Sequence, residues 1–146
     1  MRSFCLAAVL GGAVWLSSPV LAEPSAGAPQ GSQAIYVVKV DAPRATKAQR
    51  AVARVEVVPA TGYRLGTNYA TTLVLKQVPA GVGVDKLKFS RRDASWYSVT
   101  GVEFEVPYTA REAGKKTVGG EVRFAICQAD ECHPARAQVS FQIDVK

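Results

Sequence analysis

The sequence predicts an all-β fold, an immunoglobulin-like antiparallel β-sandwich of about seven strands, and three observations carry that expectation. Short runs rich in Val, Thr and aromatic residues recur along residues 34–146. Several of them alternate apolar and polar residues with a period of two, as a strand with one buried face does. Pro, Gly, Asn or charged residues separate the runs at the spacing of strand-to-strand turns. Arg44 to Arg54 comes nearest to a helical composition, with Ala, Lys and Gln, but it runs on into a Val-rich stretch. The chain contains no internal repeat.

At the amino terminus, Met1-Arg2 precedes the uncharged and largely apolar run Phe4 to Leu16, and Val20-Leu21-Ala22 precedes Glu23. This order of charge, apolar run and small residues is that of a secretory signal with its cleavage site. Residues 1–22 are therefore expected to be removed and the mature chain to reside in the periplasm or outside the cell. The apolar run is shorter than the roughly 20 residues of a membrane-spanning helix. No later stretch approaches that length, so no integral membrane segment is expected after cleavage. Cys5 leaves with the signal and lacks the small-residue context of a lipidation site. Loss of Arg2 lowers the formal charge from +6 to +5. Residues 23–33, with their Pro, Ala, Gly and Ser, read as a flexible leader. Residues 34–146 then form one domain, large enough for a core of its own.

Within that domain, strands are expected at Ala34 to Val40, Ala51 to Val58, Thr71 to Val78, Val84 to Phe89 and Gly101 to Tyr108. The alternation is clearest in the fifth run, where Val102, Phe104, Val106 and Tyr108 interleave with Glu103, Glu105 and Pro107. Two further runs close the chain. Val122, Phe124 and Ile126 alternate with Glu121, Arg123 and Ala125; Val139, Phe141, Ile143 and Val145 alternate with Gln138, Ser140, Gln142 and Asp144. They read as a hairpin joined by Cys127-Gln128-Ala129-Asp130-Glu131-Cys132-His133-Pro134.

Counting parity along each run places both cysteines on the polar side. Pro134, which cannot donate to a sheet ladder, is the one residue able to shift that register. Cysteines on either side of a four-residue loop can face each other as an antiparallel pair, within the reach of a disulfide. With Cys5 gone, Cys127 and Cys132 are the remaining cysteines, an even count in a compartment that permits disulfides, which favours their pairing.

Two readings of that bridge stand side by side. One is a structural staple, the ordinary role of paired cysteines in an exported domain. Closing a six-residue loop, however, removes only about 2 kcal/mol of denatured-state entropy. The other is thiol-disulfide exchange, which requires access to a sulfur, as a bridge on the polar face offers. Asp130 and Glu131 disfavour a nearby thiolate, whereas Arg136 and any protonated fraction of His133 favour one, so the poise stays open.

Cys127, Cys132 and His133 spell C-x4-C-H, too long a spacer for haem attachment, and no Met or second His remains to complete an axial set. Two Cys and one His also fall short of a four-ligand zinc site. No cofactor and no metal is expected. Lys86, Lys88, Arg91 and Arg92, with Lys115 and Lys116, read as a solvated basic surface with some leaning towards acidic partners. No nucleic-acid module is present, and nucleic acid is not an expected partner.

Four motifs in order resemble the N-terminal immunoglobulin-like domain of the thiol:disulfide interchange protein DsbD. Gly62-Tyr63-Arg64-Leu65 looks like its Gly-Tyr turn, and Val78-Pro79-Ala80-Gly81-Val82 is similar to its Pro-x-Gly-Val turn. Val106-Pro107-Tyr108-Thr109 resembles its strand ending in Pro-Val-Thr, and Gly120 to Cys127 with Cys132-His133-Pro134 is similar to its cysteine hairpin. The resemblance implies a periplasmic domain whose Cys127/Cys132 pair accepts electrons from a thioredoxin-like protein and passes them to oxidised envelope proteins. Cys132 would enter the mixed disulfide and Cys127 resolve it, or the reverse.

The family shields its pair with an aromatic cap loop, which here falls on about Asp85 to Tyr97. That makes Phe89 the candidate shield, with Trp96 and Tyr97 behind it; ordinary strand packing is the competing role for all three. Tyr63 would lie near the pair, with Asp130, Glu131, His133 and Pro134 around it. The chain departs from the family in its shorter spacer, in His133 for an aromatic, in its single following Pro, and in Arg64 and Gly66 for Tyr. It also carries neither the membrane domain nor the thioredoxin domain. With the resemblance counted, the expected activity is thiol-disulfide exchange through Cys127 and Cys132, that of a protein-disulfide reductase or interchange component, ahead of its rival, an exported sandwich that binds without catalysis and holds a fixed bridge.

Overall fold

The computed structural model describes residues 34–146; the expected signal and leader lie outside the described residues. The strands are β1 (Tyr36–Asp41), β2 (Arg50–Pro59), β3 (Arg64–Leu65), β4 (Thr72–Gln77), β5 (Val82–Val84), β6 (Lys88–Ser90), β7 (Ala94–Ser98), β8 (Gly101–Ala110), β9 (Gly114–Gln128) and β10 (Glu131–Val145). A 3-10 turn, Arg91–Asp93, separates β6 from β7. The first sheet has the order β1-β2-β8-β5 with β7 also on β8, and the second has the order β10-β9-β4-β6 with β3 on β9. All of these pairings are antiparallel. The fold is thus the immunoglobulin-like all-β sandwich expected from the strand pattern.

Among the described residues, ten strands stand where about seven are expected. The run Val84 to Phe89 is not one strand. Its start belongs to β5, paired with β8 in the first sheet, and its end to β6, paired with β4 in the second. Val82 and Phe89, both buried, anchor the two ends in different sheets, and Asp85 to Leu87 make the crossing. β3 is two residues long, too short for periodicity to register. β7 lacks a clean alternation because its pairing with β8 shifts between Ala94 and Trp96. Arg44 to Arg54 forms no helix: Ala45 bridges Val145 in parallel, and β2 begins at Arg50.

The core lies between the sheets. Val55, Val57, Phe104 and Val106 from the first meet Leu73, Val122, Phe124 and Ile143 from the second. These are the apolar phases of strands that alternate, so their polar neighbours face outward. Two tyrosines tie the margins. Tyr108, almost wholly buried, donates to the Pro43 carbonyl at 2.9 Å, and burial raises its pKa. Tyr36 stands edge-on to Phe124 with ring centroids 4.9 Å apart and donates to the Arg136 carbonyl at 3.2 Å, joining β1 to β10.

Candidate functional site

The hairpin of β9 and β10 is in unbroken register from Gln128↔Glu131 to Gly114↔Val145. The loop is a two-residue turn, Ala129-Asp130, rather than the four residues the cysteine spacing implies. Ala129 enters it at φ +49°, a left-handed conformation without glycine. Arg64 Nη2 donates to the Ala129 carbonyl at 2.7 Å and ties β3 to the turn. Directly above, Cys127 and Cys132 are cross-strand partners joined by a disulfide, with Cα atoms 4.0 Å apart. That spacing marks a non-hydrogen-bonded pair.

The phase explains why Pro134 shifts nothing. Residues 132, 134, 136 and onward by twos turn their N–H and C=O groups away from β9, as the Arg136 carbonyl bonded by Tyr36 and the Asp144 carbonyl bonded by the Ala45 N–H both illustrate. The N–H that Pro134 lacks would point off the sheet edge, where it breaks no ladder bond.

Parity holds for the sulfurs as well. Val122, Phe124 and Ile126 enter the core, and Cys127 lies on the outer face of the second sheet in phase with Glu121, Arg123 and Ala125. Outer is not exposed, however. Cys127 has 0% relative exposure, whereas Cys132 is half-buried. The cover is the turn after β3. The Gly66 N–H donates to the Ala125 carbonyl at 3.0 Å and the Tyr69 N–H to the Gly66 carbonyl at 3.0 Å. A β-carbon on Gly66 would meet Tyr69 Cδ2 at 2.9 Å, Cys127 Sγ at 3.0 Å and Ala125 Cβ at 3.1 Å. The turn therefore sits on the sulfur closely enough that a side chain at position 66 would have to displace a neighbour.

The aromatic residues expected over the pair lie elsewhere. Phe89, 2% exposed, faces the inter-sheet core beside Leu73, on the far side of the sheet from Cys127. Trp96 and Tyr97 belong to the first sheet; the Trp96 ring packs over Gly101, and the Tyr97 hydroxyl is 3.3 Å from Thr71 Oγ1. Tyr63 precedes the residue that pairs with Cys127 but packs its side chain on the core. Of the predicted surroundings, Asp130, Glu131, His133 and Pro134 are at the hairpin end and exposed, with His133 Nε2 3.8 Å from Glu131 Oε2. Gly66 and Tyr69 are the residues the sequence reading missed as cover. The lack of a side chain at Gly66 is what lets the turn lie this near the sulfur.

Farther along the same outer face, Glu121 is 5% exposed and held by Arg123 Nε at 2.6 Å, Lys76 Nζ at 3.0 Å and Gln138 Nε2 at 3.0 Å. These bonds lower its pKa to about 2. At the border of this face, Asn68, Tyr69, Ala70, Thr71, Thr72, Ser90, Arg91 and Arg92 line an open groove of about 410 Å³. Tyr69 belongs to both places, as cover for Cys127 and as groove wall. Among the described residues, no group of three His, Cys, Asp or Glu side chains is placed to hold a metal ion, and no helix is long and apolar enough to cross a membrane.

Chemically, a visiting thiolate finds Cys132 and not Cys127. The leaving group would then be a Cys127 thiolate formed beneath Gly66, Ala125 and the Tyr69 ring, surroundings that disfavour the charge and slow its departure.

No family model matches the chain, and no curated protein matches it. Among solved structures it is similar to AggA, the major subunit of aggregative adherence fimbriae type I from Escherichia coli, at 9% identity. The match covers 76% of this chain and 95% of that one with a TM-score of 0.39.

Proposed function

We propose that the chain is an exported β-sandwich interaction module in which Cys127–Cys132 is a structural bridge. The observation that carries this reading is the enclosure of Cys127, which leaves one sulfur open to attack and makes the other a poor leaving group. The export signal over residues 1–22 supplies the oxidising compartment in which such a bridge persists. A redox titration of the mature domain tests the reading. A structural bridge has a potential below about −300 mV, and a higher value would overturn it.

A second reading, thiol-disulfide exchange, is favoured by the position of the bridge outside the core and by the half-buried Cys132. In that chemistry a partner thiolate attacks Cys132 Sγ, the S–S bond breaks and Cys127 leaves as a thiolate. A second partner thiol then resolves the mixed disulfide, so that two electrons pass to the Cys127/Cys132 pair. A thioredoxin-like protein would supply them, and an oxidised envelope protein would take them up. A Cys127→Ala variant retains the Cys132 thiol and would accumulate a mixed disulfide with the partner. Recovery of none from the envelope sinks this second reading.

A further inference from the structure

The two outer faces of the sandwich carry charge differently. On the first sheet, Lys39 Nζ is 3.3 Å from Glu56 Oε2 and Arg54 Nε is 3.4 Å from Glu105 Oε1, and the like charges that stand opposite each other there, Glu56 and Glu103, are both acidic. On the second sheet, Arg136 stands directly opposite Arg123 across a close pair, an arrangement that is unfavourable in isolation. Arg123 turns to Glu121. Among the described residues, Arg64, Arg91, Arg92 and Arg136 have no carboxylate within salt-bridge distance.

Arg136, Arg91 and Arg92 lie at the two ends of one path across this face. Arg136, Arg123, Thr72 and Ser90 are successive cross-strand neighbours in one row over β10, β9, β4 and β6. That row runs into the groove where Arg91 and Arg92 emerge. Arg91 is preset, since its Nη1 donates to the Thr67 carbonyl at 3.0 Å and its guanidinium lies 5.7 Å from the Tyr97 ring centre. Tyr69, 47% exposed, gives the groove an aromatic wall.

From this we propose that the outer face of the second sheet is the docking surface, and that its occupant is an acidic segment of a partner protein lying along the row from Arg136 to the Arg91/Arg92 groove. Arginine forks match carboxylates in two-point contacts, and Arg with Tyr is the pairing that protein hot spots favour. The groove is sized for side chains. The proposal rests on the interaction-module reading, but its test does not involve the potential of the disulfide, so either can fail without the other.

The test uses the mature protein and a short fluorescein-labelled peptide of alternating Glu and Ser, followed by fluorescence anisotropy. The expected result is binding that weakens as salt shortens the screening length and that vanishes when Gln replaces each Glu. Arg92→Gln and Arg136→Gln should each weaken it by about 1.5-fold to fivefold, the range of an exposed ion pair. Arg54→Gln, on the opposite face, should leave it unchanged. The proposal is overturned if the Gln peptide binds equally well, or if Arg54→Gln costs as much as the other two. It is also overturned if phosphatidylglycerol vesicles bind the protein while the acidic peptide does not, the outcome for a lipid-directed face.

Discussion

Glu121 is a carboxylate on a sheet face otherwise crowded with arginine, and its three partners hold its pKa at about 2 against an ordinary 4.5. A depressed carboxylate pKa contributes stability that is complete above the unfolded value and is lost as pH falls through the folded one. The native state is therefore expected to lose this contribution between pH 4.5 and about 2. Asp93 adds to the same acid limb, its pKa lowered to about 2 by Lys86 and by the Ser90 N–H and hydroxyl. Denaturant melts across that range should show the fall, and Glu121→Gln should flatten it. A Glu121→Gln profile as steep as that of the native protein would contradict the assignment. Tyr108 poses a simpler question, because its hydroxyl is buried and bonded to the Pro43 carbonyl. Tyr108→Phe leaves that carbonyl without its partner and should cost about 1–2 kcal/mol in equilibrium unfolding.

The β9–β10 hairpin and the turn that covers it form the element on which the reading of the cysteines depends. Gly66 lies so near Cys127 Sγ and the Tyr69 ring that an added methyl must displace the ring or the turn. Gly66→Ala is therefore expected to expose the disulfide and to speed its reduction by dithiothreitol, with the fold checked by circular dichroism. An unchanged rate would mean that the turn is not what limits access. At the tip of the hairpin, Ala129 occupies a left-handed conformation. Ala129→Gly removes a backbone cost of about 1–2 kcal/mol and adds about 0.5–1 kcal/mol of unfolded-state entropy. The midpoint of thermal unfolding should rise slightly.

For the molecule as a whole, one core serves both sheets. Phe104, fully buried on β8, packs in the same cluster as Phe124 and Phe141 of the second sheet. Phe104→Ala is expected to cost about 3–5 kcal/mol, a large share of the stability of a domain this size. Fluorescence and far-ultraviolet dichroism should then shift to the same lower midpoint, whereas separate transitions would indicate that the sheets unfold independently. The same architecture distributes charge unevenly, with the Lys39–Glu56 and Arg54–Glu105 pairs outside the first sheet and, beside the Glu121 cluster, Arg136 without a carboxylate outside the second. A uniform spread of the net positive charge would give no preferred side for an acidic partner.

Period-two alternation made the fold class, the main strands and the terminal hairpin legible in the chain, because each strand records its buried face in every second residue. The same parity placed both cysteines outside the core. It could not tell outside from exposed. Cys127 is covered by a turn some sixty residues earlier in the chain, and no local pattern encodes which loop returns to which strand. The crossing at Asp85 to Leu87 was hidden for a related reason, since one apolar run can supply two sheets when its middle leaves both. The row is likewise invisible in order of residue number: Arg136 and Arg123 become neighbours through strand pairing and an outward phase held in common, and Thr72 and Ser90 carry the row on to the groove of Arg91 and Arg92. Sequence determined which residues prefer water and which do not. The tertiary structure alone decided which polar residues share a face and which sulfur a second segment seals, because both follow from contacts between stretches far apart in the chain.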